Sequence, residues 1–195
     1  MNCVEFKVCF GGDTAVGKSS IAKRFINDNF DEKNESTIGA AYFNKYLEID
    51  DKKVNMGIWD TAGQERYQSL APMYFRNSQA VILVYDVTSQ KSFQSLKNRW
   101  YNDVQSYIDH DNIAIFENKS DLEEMRQVDE EEARKFAEEN DILFYKTSAK
   151  EDNGNIEKCL RKLYENKPIV IEEFKPIEVD IYSKKKKNKS CCIIS

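Results

Sequence analysis

Residues 12–19 read Gly12-Asp13-Thr14-Ala15-Val16-Gly17-Lys18-Ser19, a complete G-x-x-x-x-G-K-[ST] pattern. The pattern carries chemistry only where a strand runs into it and a helix leaves it. Both flanks meet that condition. Glu5 to Phe10 is a β-rich run, and Lys18 to Asn27 sets Ile21, Ala22, Phe25 and Ile26 at helical spacing. In such a setting the glycines let successive main-chain N–H groups turn inward around phosphate oxygens, beside the positive end of the helix. Gly12, Thr14, Ala15, Val16 and Gly17, with Ser19 and Ser20 at the helix start, form the expected phosphate cradle. Lys18 is expected to reach the β and γ phosphates and to serve their hydrolysis. Ser19 is expected to offer its hydroxyl to Mg²⁺, which prefers hard oxygen ligands. The bland alternative, a glycine turn before an ordinary helix, fits a match of this length poorly.

Outward from this loop, short β-rich runs alternate with helical patterns, the mark of an α/β fold with a mostly parallel sheet. Ala41 to Asp50 and Lys53 to Asp60 flank an Asp-Asp-Lys turn and predict an antiparallel hairpin at the sheet edge. Ala80 to Tyr85 is nearly continuously apolar, which predicts a central strand covered on both faces. Further strands are expected from Ile113 to Phe116 and from Ile142 to Tyr145. Helices are expected from Lys91 to Ile108, Asp129 to Glu139 and Ile156 to Asn166, the second opened by a capping box of Asp129 and Glu132.

The run Gly57-Ile58-Trp59-Asp60 delivers a carboxylate at the C-terminal edge of its strand, where open α/β sheets bind ligands. Asp60 is expected to hold Mg²⁺ through water and the Gly63 N–H to reach the γ-phosphate. Gln64 is the candidate to orient the attacking water. Upstream, Asn27 to Thr37 has neither period. Thr37 is expected to bring a hydroxyl to Mg²⁺ and an N–H to the γ-phosphate, so that loss of that phosphate would release the loop. Asn118-Lys119-Ser120-Asp121 and Thr147-Ser148-Ala149-Lys150 each follow a strand at the same edge. An ionised Asp121 only accepts, so it takes the ring N–H and exocyclic amine of guanine, two donors that adenine lacks. A buried carboxylate left unpaired discriminates by ~10⁴ or more, which favours GTP over ATP. Main-chain N–H groups at Ser148, Ala149 and Lys150 are expected on the guanine carbonyl. Phe30 is expected to close the pocket against the purine, with core packing as its alternative.

Composition bounds the rest. A chain of 195 residues, 41% hydrophobic and 32% charged, fits one domain with an appendage. No stretch approaches the ~20 apolar residues of a membrane span. The start MNCVEFKVCF lacks a basic region followed by an apolar run, so the cysteines are expected in a reducing cytosol. Cys3, Cys9 and Cys159 then read as small buried or half-buried residues. His110, between Asp109 and Asp111, reads as a solvated residue, and neither a Ser/His/Asp triad nor a Cys/His metal set assembles around it. After Lys167-Pro168 the periodicity fades, dividing the chain into a domain at 1–167 and a flexible tail at 168–195. The net charge of −5 hides Lys184, Lys185, Lys186, Lys187 and Lys189; without those five charges it doubles to −10. An acidic body makes a poor nucleic-acid binder, whereas the basic tail suits an anionic surface. The ending Cys191-Cys192-Ile193-Ile194-Ser195 holds a C-a-a-X box at Cys192, farnesyl-type by the simple rule. Two lipids, or one with the lysines, meet the two-signal requirement for stable membrane residence.

In their order, the segments GDTAVGKS, STIGAAY, WDTAGQERY, NKSD and TSAK resemble the Rab family of small GTPases over about residues 5–166. STIGAAY with WDTAGQERYQSLAPMYFR is most similar to the early-endosomal branch. The resemblance implies the small G domain of the P-loop NTPases, a six-stranded mostly parallel sheet with about five helices. It implies GTP and GDP bound with Mg²⁺, slow GTP hydrolysis and effectors that read the switches. An exchange factor, a GTPase-activating protein and a prenyl-binding dissociation inhibitor come with it. So do a monomer with a cytosolic pool, residence on the cytoplasmic face of endosomal or related vesicle membranes, and geranylgeranyl on both Cys191 and Cys192.

On matched positions, phosphate, metal and hydrolysis fall to Lys18, Ser19, Thr37, Asp60, Gly63 and Gln64, and guanine to Asn118, Lys119, Asp121 and Ala149. Tyr42, Trp59 and Tyr74 match a surface aromatic trio at the switch interface, against the alternative of buried sheet aromatics. Glu117 departs from the family, which usually has a small or apolar residue there. No arginine is an obvious transition-state finger, so hydrolysis alone would run at about 10⁻⁴ to 10⁻³ per second, and a partner arginine would add ~10³ to 10⁵. Two rivals remain open at this point, a nucleotide-independent scaffold on the same fold and an ATP-using P-loop kinase. Lys18, Thr37, Asp60 and Gln64 speak against the first and Asp121 against the second.

Overall fold

The computed structural model describes residues 3–31, 36–64, 71–151 and 154–166. Six strands form one sheet in the order β2-β3-β1-β4-β5-β6, with β1 at Cys3–Gly11, β2 at Ala40–Ile49, β3 at Lys52–Thr61, β4 at Ala80–Asp86, β5 at Ile113–Asn118 and β6 at Leu143–Lys146. Only β2 runs antiparallel, paired to β3 from Ala40 opposite Thr61 to Ile49 opposite Lys52. The hairpin turn narrows to Asp50 and Asp51, both at positive φ (50° and 59°), the handedness that matches the twist of the two strands.

Alternation along the central strand builds two cores. Ala80, Ile82 and Val84 join a cluster with Ile21 and Phe25 of helix α1 (Lys18–Asn27) and Leu160 and Leu163 of helix α5 (Asn155–Asn166). Val81, Leu83 and Tyr85 face the other way. There they meet Phe75 of a short helix α2 (Ala71–Phe75), Phe93 and Trp100 of helix α3 (90–104), and Ala133 and Ala137 of helix α4 (Glu130–Glu139). All seven residues of β4 are buried, as a strand covered on both faces requires.

The six expected strands and four expected helices are present, with local differences. Helix α2 carries no sequence signal long enough to announce it. Helix α3 opens as Gln90–Ser95, winds through a π-helical stretch Leu96–Trp100 and ends as Tyr101–Val104, four residues short of the expected Ile108. That stretch brings the Trp100 Nε1–H to Asp13 Oδ1 at 2.8 Å beside the Ser95 hydroxyl at 2.7 Å, tying the phosphate loop to α3. The capping box is half realised. Asp129 accepts from the Glu131 N–H, but the Glu132 carboxylate pairs with Lys97 at 2.6 Å. Cys9 and Cys159 are buried, but Cys3 is exposed, because the first residues of β1 pair only with β3, and β4 joins on the other side from Val8 onward. The expected tail, with the lysine cluster, Cys191 and Cys192, lies outside the described residues, as do 32–35 within the upstream loop.

Candidate functional site

The loops at the C-terminal ends of the strands enclose a cavity of about 450 Å³. Thr14, Ala15, Gly17, Lys18, Ser19 and Ser20 form one end, Gly63, Gln64 and Thr37 the rim, and Phe30, Asn118, Lys119, Asp121, Ala149 and Lys150 the other end. Gly12, Val16, Asp60 and Ser148 stand one layer behind this surface. Gly12 (φ 140°) lies so close to β4 that a Cβ would meet the Val84 carbonyl oxygen at 2.3 Å, so only glycine fits. The Val16 side chain is core, and the carbonyl of that residue accepts from Asn118 Nδ2 at 2.8 Å.

At the phosphate end, buried Lys18 donates from Nζ to the Gly12 and Asp13 carbonyls at 2.7 and 2.8 Å. The Ser19 hydroxyl donates to Asp60 Oδ2 at 2.6 Å, the Thr37 hydroxyl to the same oxygen at 3.1 Å, and the two hydroxyls lie 2.9 Å apart. Three hard oxygens from three separate segments thus meet at a point. The second carboxylate oxygen, Asp60 Oδ1, is buried with no hydrogen-bond partner. That orphaned acceptor and the all-oxygen set fit a divalent cation of the Mg²⁺ type. Among the described residues no cluster of three His, Cys, Asp or Glu offers a different metal site. Gly63 packs on the loop so closely that a Cβ would fall 2.4 Å from Asp13 C and 2.5 Å from Thr14 N.

At the other end, Asp121 accepts from the Ser148 hydroxyl at 2.6 Å, which in turn accepts from the Lys150 and Glu151 N–H groups at 3.2 and 3.0 Å. Lys119, at φ 61°, pairs with Asp86 at 2.5 Å, leaving its alkyl stem along the cavity. Phe30 lines the cavity and also packs against the α1-side core. Asn118 is buried and spans the loops, bonded to Val16 on one side and approached by the Thr147 hydroxyl on the other.

Comparison with known proteins matches residues 7–168 to the Ras family model. The chain is 47% identical over 148 residues to the Ras-related proteins RABF2b and RABF2a of Arabidopsis thaliana, an alignment covering 75% of this chain and 74% of each relative. The chain belongs to the Ras family. Its relatives place it among the Rab GTPases, and like them it binds guanine nucleotide and hydrolyses GTP.

For a Ras-family site the electrostatics are telling. Burial pushes the Lys18 ammonium down to about 8, against the pull of Asp60 and Asp13, and pushes the Asp60 carboxyl up, against its bonds to Ser19 and Thr37 and the Lys18 charge. Each group is thus held in a dry place where its charge is costly until a counter-charge arrives. Outside the cavity, Tyr42, Trp59 and Tyr74 form one chain of ring contacts, with centroids 5.3 and 5.8 Å apart. Tyr42 is 50% exposed, whereas Trp59, beneath Lys7, and Tyr74 are half-buried against the core on the α3 side, so the surface reading holds for Tyr42 and only in part for the other two.

Sequence reasoning missed the residues that brace the site from behind. Arg24 donates from Nε to the Ala149 carbonyl at 2.8 Å and from Nη2 to the Lys150 carbonyl at 2.9 Å, holding the last loop onto α1. Asp86 and Asp13 do similar work for Lys119 and α3. Their only sequence signal is position, Asp86 at the end of a strand, Asp13 in the loop after one, and Arg24 in the last turn of α1. His110 is exposed as expected, yet its Nδ1 lies 3.1 Å from both the Tyr101 hydroxyl and the Asn140 carbonyl.

Proposed function

We propose that this GTPase is a Mg²⁺-dependent switch that regulates vesicle traffic from endosomal or related membranes by recruiting effectors when GTP is bound. One observation carries the switch reading, the meeting of Ser19, Thr37 and Asp60 at a single point. Thr37 follows α1, Asp60 closes β3 and Ser19 opens α1, so an ion held there with a γ-phosphate would join three otherwise independent segments. Bound there, Mg²⁺ would neutralise charge on the β and γ oxygens. Lys18 would exchange its two carbonyl partners for phosphate oxygens, Gly63 would donate its N–H, and Gln64 would orient water. Asp121 and the Ser148–Lys150 loop would read the guanine edge, with Phe30 across the ring.

The exposed apolar rim, with Ile38 79%, Tyr42 50% and Met73 58% exposed, flanks these segments and suits an effector that reads them. Exchange factor, GTPase-activating protein and prenyl-binding dissociation inhibitor are the kinds of partner such a cycle needs. Prenylation of Cys191, Cys192 or both, aided by the lysine cluster at ~1 kcal/mol per residue near an anionic leaflet, would anchor a monomeric G domain, residues 1–167, to the membrane. Among the described residues no helix is long and apolar enough to cross one.

Replacing Gln64 by Leu tests the reading. The variant should keep GDP and GTP while single-turnover hydrolysis falls by ~10² and no longer responds to an activating arginine. Unchanged hydrolysis would remove Gln64 from its role. Failure of the native chain to prefer GTP over ATP would overturn the site assignment as a whole.

A further inference from the structure

Glu117 is an ionisable residue that the proposed function leaves unused, and it is fully buried at 0% exposure. It sits in β5 one residue before the Asn118–Asp121 loop and directly across from Tyr85 in the parallel register with β4. An isolated carboxylate in that place would be untenable. Two donors satisfy it, the Tyr85 hydroxyl on Oε2 at 2.6 Å and Arg126 Nη2 on Oε1 at 2.8 Å.

Arg126 does more than pair with it. Its Nε and Nη2 grip the two oxygens of Glu123 at 2.9 Å each, and its Nη1 donates to the Val128 carbonyl at 3.2 Å. One guanidinium therefore joins the penultimate residue of β5 to the far end of the excursion that begins at Asn118. The return is fixed by the Gln127 and Val128 N–H groups, both on the Val87 carbonyl at 2.8 and 3.1 Å. Between these two pinned ends stand Lys119, Asp121 and Leu122, all lining the cavity. Outside the cavity the brace continues, with Lys146 3.6 Å from Glu123 and 3.1 Å from Glu130. A buried ion pair whose members share further hydrogen bonds has few alternative geometries, so what it holds is held in one place.

We propose that the buried Glu117–Arg126 pair, held in register by Tyr85, is a positioning device that fixes the Lys119–Asp121 loop over the cavity and so sets how sharply Asp121 discriminates guanine from a purine lacking the exocyclic amine. The inference rests on the reading of Asp121 as the guanine acceptor. The carboxylate of Glu117 touches no nucleotide; it acts through the loop.

The test measures release of GDP and of inosine diphosphate, which keeps the ring N–H and loses the amine, from the full chain in Mg²⁺ buffer. The native chain should hold GDP ~10-fold or more longer than inosine diphosphate, as expected for one charge-assisted hydrogen bond. Glu117→Gln keeps the shape and removes the charge, and should reduce that ratio by about 3-fold or more by shortening GDP retention selectively. Arg126→Lys keeps the positive charge and loses the fork, and should do the same. It is also the less buried partner, its side chain 15% exposed against 0% for Glu117, so it carries the test if the Glu117 variant fails to fold. The double variant should be no worse than the more affected single one, because both changes break the same pair. Equal acceleration of both nucleotides, leaving the ratio unchanged in either folded variant, would reduce the pair to general stability and overturn the proposal. Strictly additive effects would overturn it too. If the native chain itself releases the two nucleotides at the same rate, the Asp121 reading falls first and takes the positioning role with it.

Discussion

Replacing Gly63 by Ala adds one methyl carbon where the fold has no space for it. The new Cβ would lie 2.4 Å from Asp13 C, 2.5 Å from Thr14 N and 2.6 Å from Asp13 O. Comfortable contact needs about 3.5 Å, so one side must retreat by roughly 1 Å. All three opposing atoms are main chain, and that main chain is the stiffer partner. Ser95 and Trp100 hold the Asp13 carboxylate, and Gly12 beside it lies tight against the Val84 carbonyl of β4. The displacement therefore falls on residue 63 and on Gln64 beside it. A 1 Å misplacement of a positioning group costs ~10² in rate, or about 2.7 kcal/mol of barrier. The phosphate cradle stays put, so GDP retention should change by less than about 3-fold. The assay is single-turnover release of phosphate from GTP alongside GDP dissociation. Gly154→Ala is the control, since its φ of 73° strains alanine by ~1 kcal/mol while a Cβ there meets nothing within 4 Å. It should lower the melting temperature and leave hydrolysis alone. Hydrolysis by Gly63→Ala within about 3-fold of the native rate would refute the reasoning, because the loop would then have yielded at no cost to the chemistry.

Three further outcomes follow from the site. Lys18 sits near pKa 8 in the dry loop, and phosphate oxygens would raise it again, so nucleotide binding should take up a proton above about pH 8 and weaken as pH rises beyond it. The sign is checkable by calorimetry in buffers of different ionisation enthalpy, and proton release would contradict it. Asp60 has its folded pKa above the unfolded value, so its ionisation costs stability as pH rises through that window. Asp60→Asn should melt no lower than the native chain in EDTA at neutral pH and should lose the extra retention of nucleotide that Mg²⁺ confers. Ser148→Ala removes the donor to Asp121 and the acceptor for two N–H groups, and should speed GDP release by ~10-fold in a fluorescent-nucleotide chase.

Much of this was legible before any coordinates. The eight residues from Gly12 to Ser19 identify a phosphate loop because main-chain cradling needs glycine at fixed spacing, whatever the rest of the chain does. The apolar run from Ala80 to Tyr85 announces a strand buried on both faces, and β4 lies at the sheet centre with both clusters against it. The hairpin, α1 and the site residues on each strand end follow from local patterns of period and turn chemistry. Helix α2 and the π-helical stretch of α3 were not legible. The first is too short to show a period, and the second depends on Trp100 reaching Asp13, 87 positions away in the chain.

Sequence by itself determined which residues carry the chemistry suited to phosphate, metal and guanine, since that suitability rests on side-chain type at short fixed spacings. Only the tertiary structure decided what holds them still. Arg24 on the Ala149 and Lys150 carbonyls, Asp86 on Lys119, and Glu117 with Tyr85 and Arg126 are contacts between distant segments, and a charge in a sequence looks the same whether it meets water or a partner. Burial makes the difference, because a charge taken out of water must find its partner in the fold.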